Sequence, residues 1–285
     1  GGSALYFTFK NPWLSMVPVR QAIAYLLKRP SIGYAGGSPT FTPVKVPNGI
    51  PSCFSYLTQF ITPAVSNLNP YCTNLSKARQ LLESVGLTCK GGKWYLPNGS
   101  QFTLTILEPF SLCPCIENMM NTIKNELCSF GISTSYYVCT NVKVDHEHYA
   151  TGTGYDLVFQ AWGGYCIGTV DWYLETQYLN GIPLNVTQWD GIVTLPNGTT
   201  VNVVKLYTET VSPNSTSQLI AANDEMAYAL NYYLPAIPLV FHAEDIIVNT
   251  KDLKVPPANS WFWQEFFYGI GGTALYQLGF TDGYI

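Results

Sequence analysis

One short segment of the sequence carries side chains that could bind a metal ion. It reads Asp145-His146-Glu147-His148, and the chain has only 3 histidines in all. On a strand, His146 and His148 would project to one face, as a metal requires, whereas on a helix the same residues form a polar start capped by Asp145. Because the sequence supplies no further ligands at zinc spacing, we expect neither a metal site nor a cofactor.

Motifs for nucleophilic or nucleotide chemistry are absent from the sequence. It contains no Gly-x-Ser-x-Gly elbow, no phosphate-binding G-x-x-x-x-G-K-[ST] and no G-x-G-x-x-G. The remaining histidine, His242, lies in an apolar stretch and is expected to pack within a strand. The sequence therefore predicts a protein that is not an enzyme.

Aromatic side chains around residues 162–173 offer a different chemistry, the stacking of a neutral ligand. The set consists of Trp162, Tyr165, Trp172 and Tyr173, with Gly163 and Gly164 between the first two. Flat rings beside glycines admit a sugar ring at close range without any charge. Two interpretations stay open, a ligand platform and ordinary packing in a core or hinge.

Cysteine number and spacing favour disulfide bonds. The count is 8, it is even, no C-x-x-C pair occurs, and histidines are scarce. We expect all of them to be paired, with Cys128 and Cys139 as one bridge at a helix end, since Cys113 and Cys115 are too close to bond each other comfortably. The full set is Cys53, Cys72, Cys89, Cys113, Cys115, Cys128, Cys139 and Cys166.

Glycosylation and composition agree with an extracellular, cell-surface-associated protein. Acceptor sequons stand at Asn74, Asn98, Asn185, Asn197 and Asn214, in segments rich in turn residues. Only 11% of the 285 residues are charged, the net charge is −4, and 47% are hydrophobic. A large core is expected, nucleic-acid binding is disfavoured by the sign of the charge, and no apolar run is long enough for a membrane span.

Hydrophobic periodicity predicts an α/β protein, with a long ordered loop over residues 30–70. Four helices are predicted, at Val17–Lys28, Asn74–Val85, Ile116–Phe130 and Ser217–Tyr232. Strands are predicted at Tyr6–Phe9, Phe102–Leu107, Ile132–Val138, Tyr155–Phe159 and Ile237–Val248, with a surface hairpin near residues 188–206.

Six short motifs in this order resemble one protein family. They are Val19-Arg20-Gln21-Ala22, Ser76-Lys77-Ala78-Arg79 with Gly86, Pro97-Asn98-Gly99 before a strand, Leu127 to Ile132, Tyr155-Asp156-Leu157 with Trp162, and Pro235-Ala236-Ile237-Pro238-Leu239. Over residues 17–250 the chain is similar to the second lobe of oligopeptide/dipeptide-type solute-binding proteins of ABC importers. The resemblance implies a mixed sheet flanked by helices, a periplasmic-binding-protein-like lobe of type II, cluster C.

The resemblance also implies a division of the chain. Residues 1–16 are expected to be a hinge stub, residues 17–250 the lobe, and residues 251–285 a segment returning toward an N-terminal lobe that this sequence lacks. The expected partners are that lobe from the same precursor, or neighbouring copies of the chain, together with the importer's membrane subunits.

A departure from the family pattern bears on the ligand. Peptide-binding relatives hold the peptide amino group with an acidic residue three positions after the tryptophan, where this chain has Tyr165. Asp156 belongs to the strand motif, and Asp171 comes six residues too late. We therefore expect an oligosaccharide or, less favoured, an oligopeptide, bound by Trp162, Gly163, Gly164, Tyr165 and Trp172. The alternative hypothesis is a processed, glycosylated, disulfide-stapled domain that assembles into a filament or surface layer.

Overall fold

A computed structural model describes residues 2–37, 41–50, 60–108, 114–162, 189–242, 251, 253–254, 257 and 279–280. Its helices are α1 Val17–Leu26, α2 Arg29–Gly37, α3 Pro63–Ser66, α4 Leu75–Ser84, α5 Pro114–Ser129, α6 Val142–Thr151, α7 Val203–Val211 and α8 Thr216–Tyr233. Its strands are β1 Gly2–Phe7, β2 Phe41–Pro43, β3 Thr88–Lys90, β4 Lys93–Tyr95, β5 Thr103–Glu108, β6 Ser133–Val138, β7 Leu157–Trp162, β8 Ile192–Thr194, β9 Thr200–Asn202, β10 Ala236–His242, β11 Leu253–Lys254 and β12 Gly279–Phe280.

A six-stranded mixed sheet forms the centre of the fold, in the order β2-β10-β1-β7-β5-β6. Strands β5, β6 and β7 are parallel, and β1 runs antiparallel between β7 and β10. Strand β10 therefore points in the same direction as β5, β6 and β7. The short strand β2 covers one edge, antiparallel to β10.

Both faces of the sheet are covered, as the alternation along β1 shows. Leu5 and Phe7 belong to a buried cluster with side chains of α1, α4 and α5. Ala4 and Tyr6 belong to a second cluster, with α7, α8 and the β8–β9 hairpin. All six residues of β1 are buried, as expected for a strand with helices on both sides. The predicted α/β class, a mixed sheet flanked by helices, is confirmed.

Whether residues 1–16 act as a hinge stub stays a prediction. Their described part supplies β1, the strand on which the register of both neighbours depends, and then the turn that leads into α1. The reason is hydrophobic: the run from Ala4 to Phe7 has no exposed side and needs cover on both faces.

The prediction of a loop over residues 30–70 is wrong in part, because this segment contains most of α2 and the whole of β2 and α3. Pro30 stands in the first turn of α2, where a missing N–H costs nothing. All four predicted helices are found, within two residues of their expected ends. Asparagine or serine side chains cap four of the helices: Asn74, Asn141, Asn202 and Ser215.

A buried arginine joins the beginning of the chain to β10. The Arg20 guanidinium donates hydrogen bonds to the carbonyl oxygens of Leu14 (2.7 Å), Tyr233 (2.7 Å to Nη2) and Leu234 (3.0 Å). It lies between the rings of Phe9 and Tyr233, at 4.5 and 4.3 Å from their centroids. Burial lowers the pKa of Arg20 to about 10, and carbonyl oxygens and aromatic faces stabilise its charge.

The expected full set of disulfide bonds is not found. Cys72, Cys89 and Cys128 carry free thiols, and Cys115 is disulfide-bonded. The predicted Cys128–Cys139 bridge is wrong: the Cys128 thiol faces the carbonyl oxygen of Thr134 at 3.8 Å. The other cysteines expected to pair, Cys53, Cys113 and Cys166, lie outside the described residues.

Glycosylation stays a prediction. Asn74, Asn98, Asn197 and Asn214 are exposed, and Asn185 lies outside the described residues. Within the described part of the chain, no helix combines the length and the apolar character needed to cross a bilayer.

We expect Arg20→Lys to destabilise the protein by about 3 kcal/mol, since the single ammonium nitrogen of lysine cannot reach three carbonyl groups that accept from three separate guanidinium nitrogens. The free energy of unfolding in urea measures this loss. Arg79→Lys is the matched control: Arg79 is exposed and contacts only the Trp94 ring among the interactions described, at 5.3 Å, so we expect a change below about 0.5 kcal/mol. Equal effects of the two substitutions would contradict a special role for Arg20.

The thiols provide a second test. Alkylation of the native, unreduced protein should label the exposed Cys72 and Cys128 rapidly and the half-buried Cys89 more slowly, while Cys115 stays unlabelled until reduction. Peptide mass spectrometry reads out each position. A protein that resists labelling at Cys72, Cys89 and Cys128 even after unfolding without reductant would show that these cysteines are paired.

Candidate ligand-binding edge of the sheet

The parallel strands define the edge at which a ligand is expected. The carboxyl ends of β5, β6, β7 and β10 all point the same way, and the antiparallel β1 begins there. Open α/β sheets bind ligands in the crevice outside the carboxyl ends of their strands. We call the ends of β7, β1 and β10, at Trp162, Gly2 and Phe241, the protruding edge.

The pairing registers show why this edge protrudes. Strand β1 pairs along the whole of β7, from Phe7 opposite Leu157 to Gly2 opposite Trp162. Strand β5 pairs with β7 only at two positions, the last of which places Leu107 opposite Val158. Since β5 ends one residue later, β7 extends about 10 Å beyond it. Phe241 stands opposite Gly2, so β10 reaches the same level as β7.

Trp162 is therefore the one predicted ligand-binding residue that the structure places. Its backbone ends β7 at the protruding edge, opposite Gly2. The other four predicted residues, Gly163, Gly164, Tyr165 and Trp172, lie outside the described residues, and their role stays a prediction. The buried pairing of β1 with β7 and β10 fixes the position of the Trp162 backbone.

Asp156 is built into the opposite end of β7. Its Oδ2 accepts a hydrogen bond from the backbone N–H of Thr105 (2.7 Å), and its Oδ1 accepts one from Nδ2 of Asn11 (2.8 Å). Six residues of strand place it about 20 Å from the protruding edge. The carboxylate holds β5 and the β1–α1 turn against β7, so it cannot receive the amino group of a peptide bound at the protruding edge.

The Asp145–His148 segment forms part of helix α6, which begins earlier than the sequence suggested. Asn141, not Asp145, is the N-cap, and its side chain accepts the N–H of Val144 at 3.0 Å. Within the described residues, no group of histidine, cysteine or acidic side chains could hold a metal ion.

His148 has a packing role that the sequence did not show. Its Nδ1 lies 2.6 Å from the carbonyl oxygen of Thr153, and its ring meets that of Tyr137 at 4.5 Å. Gly154, at φ +84°, packs against the ring so closely that a Cβ atom would come within 2.6 Å of Cε1. The imidazole thus shapes the turn that starts β7.

Comparison with protein families gives one match. The model described as bacterial extracellular solute-binding proteins, family 5 middle, matches residues 1–183, which is more than half of the chain. A comparison with curated proteins gave no match.

Solved structures with this fold come from several organisms. The mannohexaose-bound periplasmic oligopeptide-binding protein of a Thermotoga maritima ABC transporter has 16% identity and a TM-score of 0.75, over 98% of this chain and 52% of that one. AppA from Bacillus subtilis, in complex with a nonapeptide, has 14% identity and a TM-score of 0.64, over 85% of this chain and 44% of that one. MelB from Agrobacterium fabrum, in complex with stachyose, has 17% identity and a TM-score of 0.62, over 85% of this chain and 38% of that one. The chain spans about half the length of the Thermotoga protein.

We expect Asp156→Asn to destabilise the protein by about 2 kcal/mol, because the amide nitrogen that replaces one carboxylate oxygen would face a hydrogen-bond donor, either the Thr105 N–H or the Asn11 amide. Unfolding in urea measures the change. Asp190→Asn is the control: Asp190 is exposed and accepts one backbone N–H, that of Ile192, which an asparagine oxygen can also accept. Unchanged stability of the Asp156 variant would return this residue to the list of possible ligand anchors.

Proposed function

The chain belongs to the bacterial extracellular solute-binding proteins, family 5, and we propose that it forms one lobe of an ABC-importer receptor that captures an oligosaccharide or oligopeptide. The observation that carries the proposal is the protruding edge, where three paired strands end together and Trp162 stands at the end of β7. In this proposal the lobe binds its ligand without any chemical step, and the receptor closes around the ligand by hinge motion.

An oligosaccharide is the ligand that the described residues favour. The residues paired at the level of the protruding edge, from Gly2 and Ser3 to Trp162 and Phe241, carry no charge. Sugars bind through stacking on aromatic rings and neutral hydrogen bonds, whereas a peptide amino group calls for a carboxylate. Asp156 is engaged at the far end of β7, and Asp171 lies outside the described residues.

The similar structures support both ligand classes for this fold. The Thermotoga protein and MelB were solved with mannohexaose and stachyose, and AppA with a nonapeptide. Because this chain spans about half the length of the Thermotoga protein, we propose that a second lobe completes the site and that membrane subunits of an importer receive the ligand. The described residues give no support to the alternative of a self-assembling filament or layer.

Isothermal titration of the full-length protein tests the ligand class. We expect heat on adding mannohexaose or stachyose and none on adding a nonapeptide, since no free carboxylate is described at the protruding edge. Heat from the peptide alone would keep the receptor role and overturn the sugar preference. If neither class produced heat, the proposed ligand would be wrong.

Trp162→Ala tests the site itself. We expect it to weaken binding of the oligosaccharide about 30-fold, or about 2 kcal/mol, which is typical of a tryptophan at the centre of a binding surface. Trp13→Phe is the control, because Trp13 is half-buried near the opposite end of the sheet, beside Asn11. An affinity unchanged by Trp162→Ala would exclude the protruding edge as the sugar site.

A further inference from the structure

A cavity lies at the outer border of the sheet, where α2 begins and the chain leaves β2. Its volume is about 420 Å³. Apolar walls come from Leu27, Pro30, Pro43, Val44, Val46 and Pro70. Pro43 stands opposite Val240, and the Val44 N–H donates to Leu239 at 2.9 Å, so the chain runs from there toward the amino end of β10. The cavity is therefore separate from the protruding edge.

A buried cation with an unused donor lines this cavity. The Arg29 side chain is almost completely buried, with 7% of the residue exposed. Its Nη2 donates to the carbonyl oxygens of Pro70 and Tyr71, the latter at 3.2 Å, while its Nη1 is buried without a hydrogen-bond partner. A buried donor left unpaired is costly, and more so on a charged group. The protein itself therefore compensates the Arg29 charge only in part.

The backbone beside Arg29 is strained. Tyr71 has φ +45°, one of two non-glycine residues with positive φ among those described. Two hydrogen bonds hold it there, from its N–H to Oδ1 of Asn69 (3.1 Å) and from its hydroxyl to the carbonyl oxygen of Asn231 (2.9 Å). Strain of this kind is retained where surrounding structure enforces it, often beside a ligand. Here it presents the Tyr71 carbonyl to the guanidinium.

The charges around the cavity have one sign. Lys45 is exposed on its lining, together with the free, exposed thiol of Cys72. The lining contains no aspartate or glutamate. Burial lowers the pKa of Arg29, as expected for a guanidinium without a carboxylate partner. An anionic group is thus the missing complement.

We propose that this cavity binds a small monocarboxylate with an apolar body, whose carboxylate is attracted by the guanidinium charge of Arg29 while its hydrocarbon part contacts the proline and valine walls. Lys45 adds a second positive charge from the solvent side. The apolar lining selects against inorganic anions, which keep their hydration, and the cationic groups select against neutral molecules of the same shape. Binding would join α2, the exit of β2 and the segment before α4.

Cys72 provides a built-in reporter of occupancy. Benzoate serves as the probe, benzamide as its neutral analogue, and iodoacetamide as the alkylating reagent, with peptide mass spectrometry separating Cys72 from Cys128. We expect saturating benzoate to slow alkylation of Cys72 about tenfold and to leave the exposed Cys128 unchanged. Benzamide should protect Cys72 far less, because it brings no negative charge to Arg29.

Variants then assign the interaction. Lys45→Gln changes an exposed side chain, so the fold is retained, and we expect benzoate affinity to fall several-fold. Arg29→Gln should abolish protection, and a thermal unfolding scan shows whether that variant is folded. Equal protection by benzoate and benzamide, or equal slowing at Cys72 and Cys128, would overturn the proposal. The proposal would also be overturned if benzoate, at the highest concentration tested, did not slow alkylation of Cys72 in the wild-type protein.

Discussion

The guanidinium of Arg20 is the interaction on which the arrangement of the sheet depends. It joins the turn after β1, at Leu14, to the end of α8, at Tyr233 and Leu234, just before β10. Strands β1 and β10 are more than two hundred residues apart in the sequence, yet they are adjacent in the sheet. Each of the three guanidinium nitrogens donates at least one hydrogen bond, and the faces of the guanidinium are covered by two rings. Such a network resists replacement because the carbonyl groups it serves are buried.

The protruding edge follows from that arrangement. Once β1 is fixed between β7 and β10, its register sets how far each extends, and Trp162 and Phe241 end at the same level as Gly2. The Asp156 carboxylate fixes the other end of β7 to Thr105. The protruding edge, where we propose that the ligand binds, is therefore positioned by contacts at the opposite end of the strands.

Local patterns predicted local structure well and long-range pairing poorly. The stripe in α4 and the apolar run of β7 specify their own elements, because periodicity of burial is a local property. The place of β1 in the sheet depends on β10, more than two hundred residues away. The six residues of β1 contain no information about which strand they pair with. Cysteine spacing has the same weakness: Cys128 and Cys139 are close in sequence, but a helix end and a strand direct the thiol of Cys128 toward Thr134.

Because the chain carries little charge, backbone carbonyl groups rather than carboxylates stabilise its two buried arginines. With 14 basic and 18 acidic residues among 285, few carboxylates are available to pair with a buried guanidinium, and backbone carbonyl groups take their place. At Arg20, all three nitrogens donate to carbonyl groups, in four hydrogen bonds, and two rings cover the faces of the guanidinium. At Arg29, which lines a cavity, two carbonyl groups accept from Nη2, while Nη1 stays buried without a partner. The fold solves the same problem completely in one place and leaves it open in the other, and an anionic ligand completes the second solution.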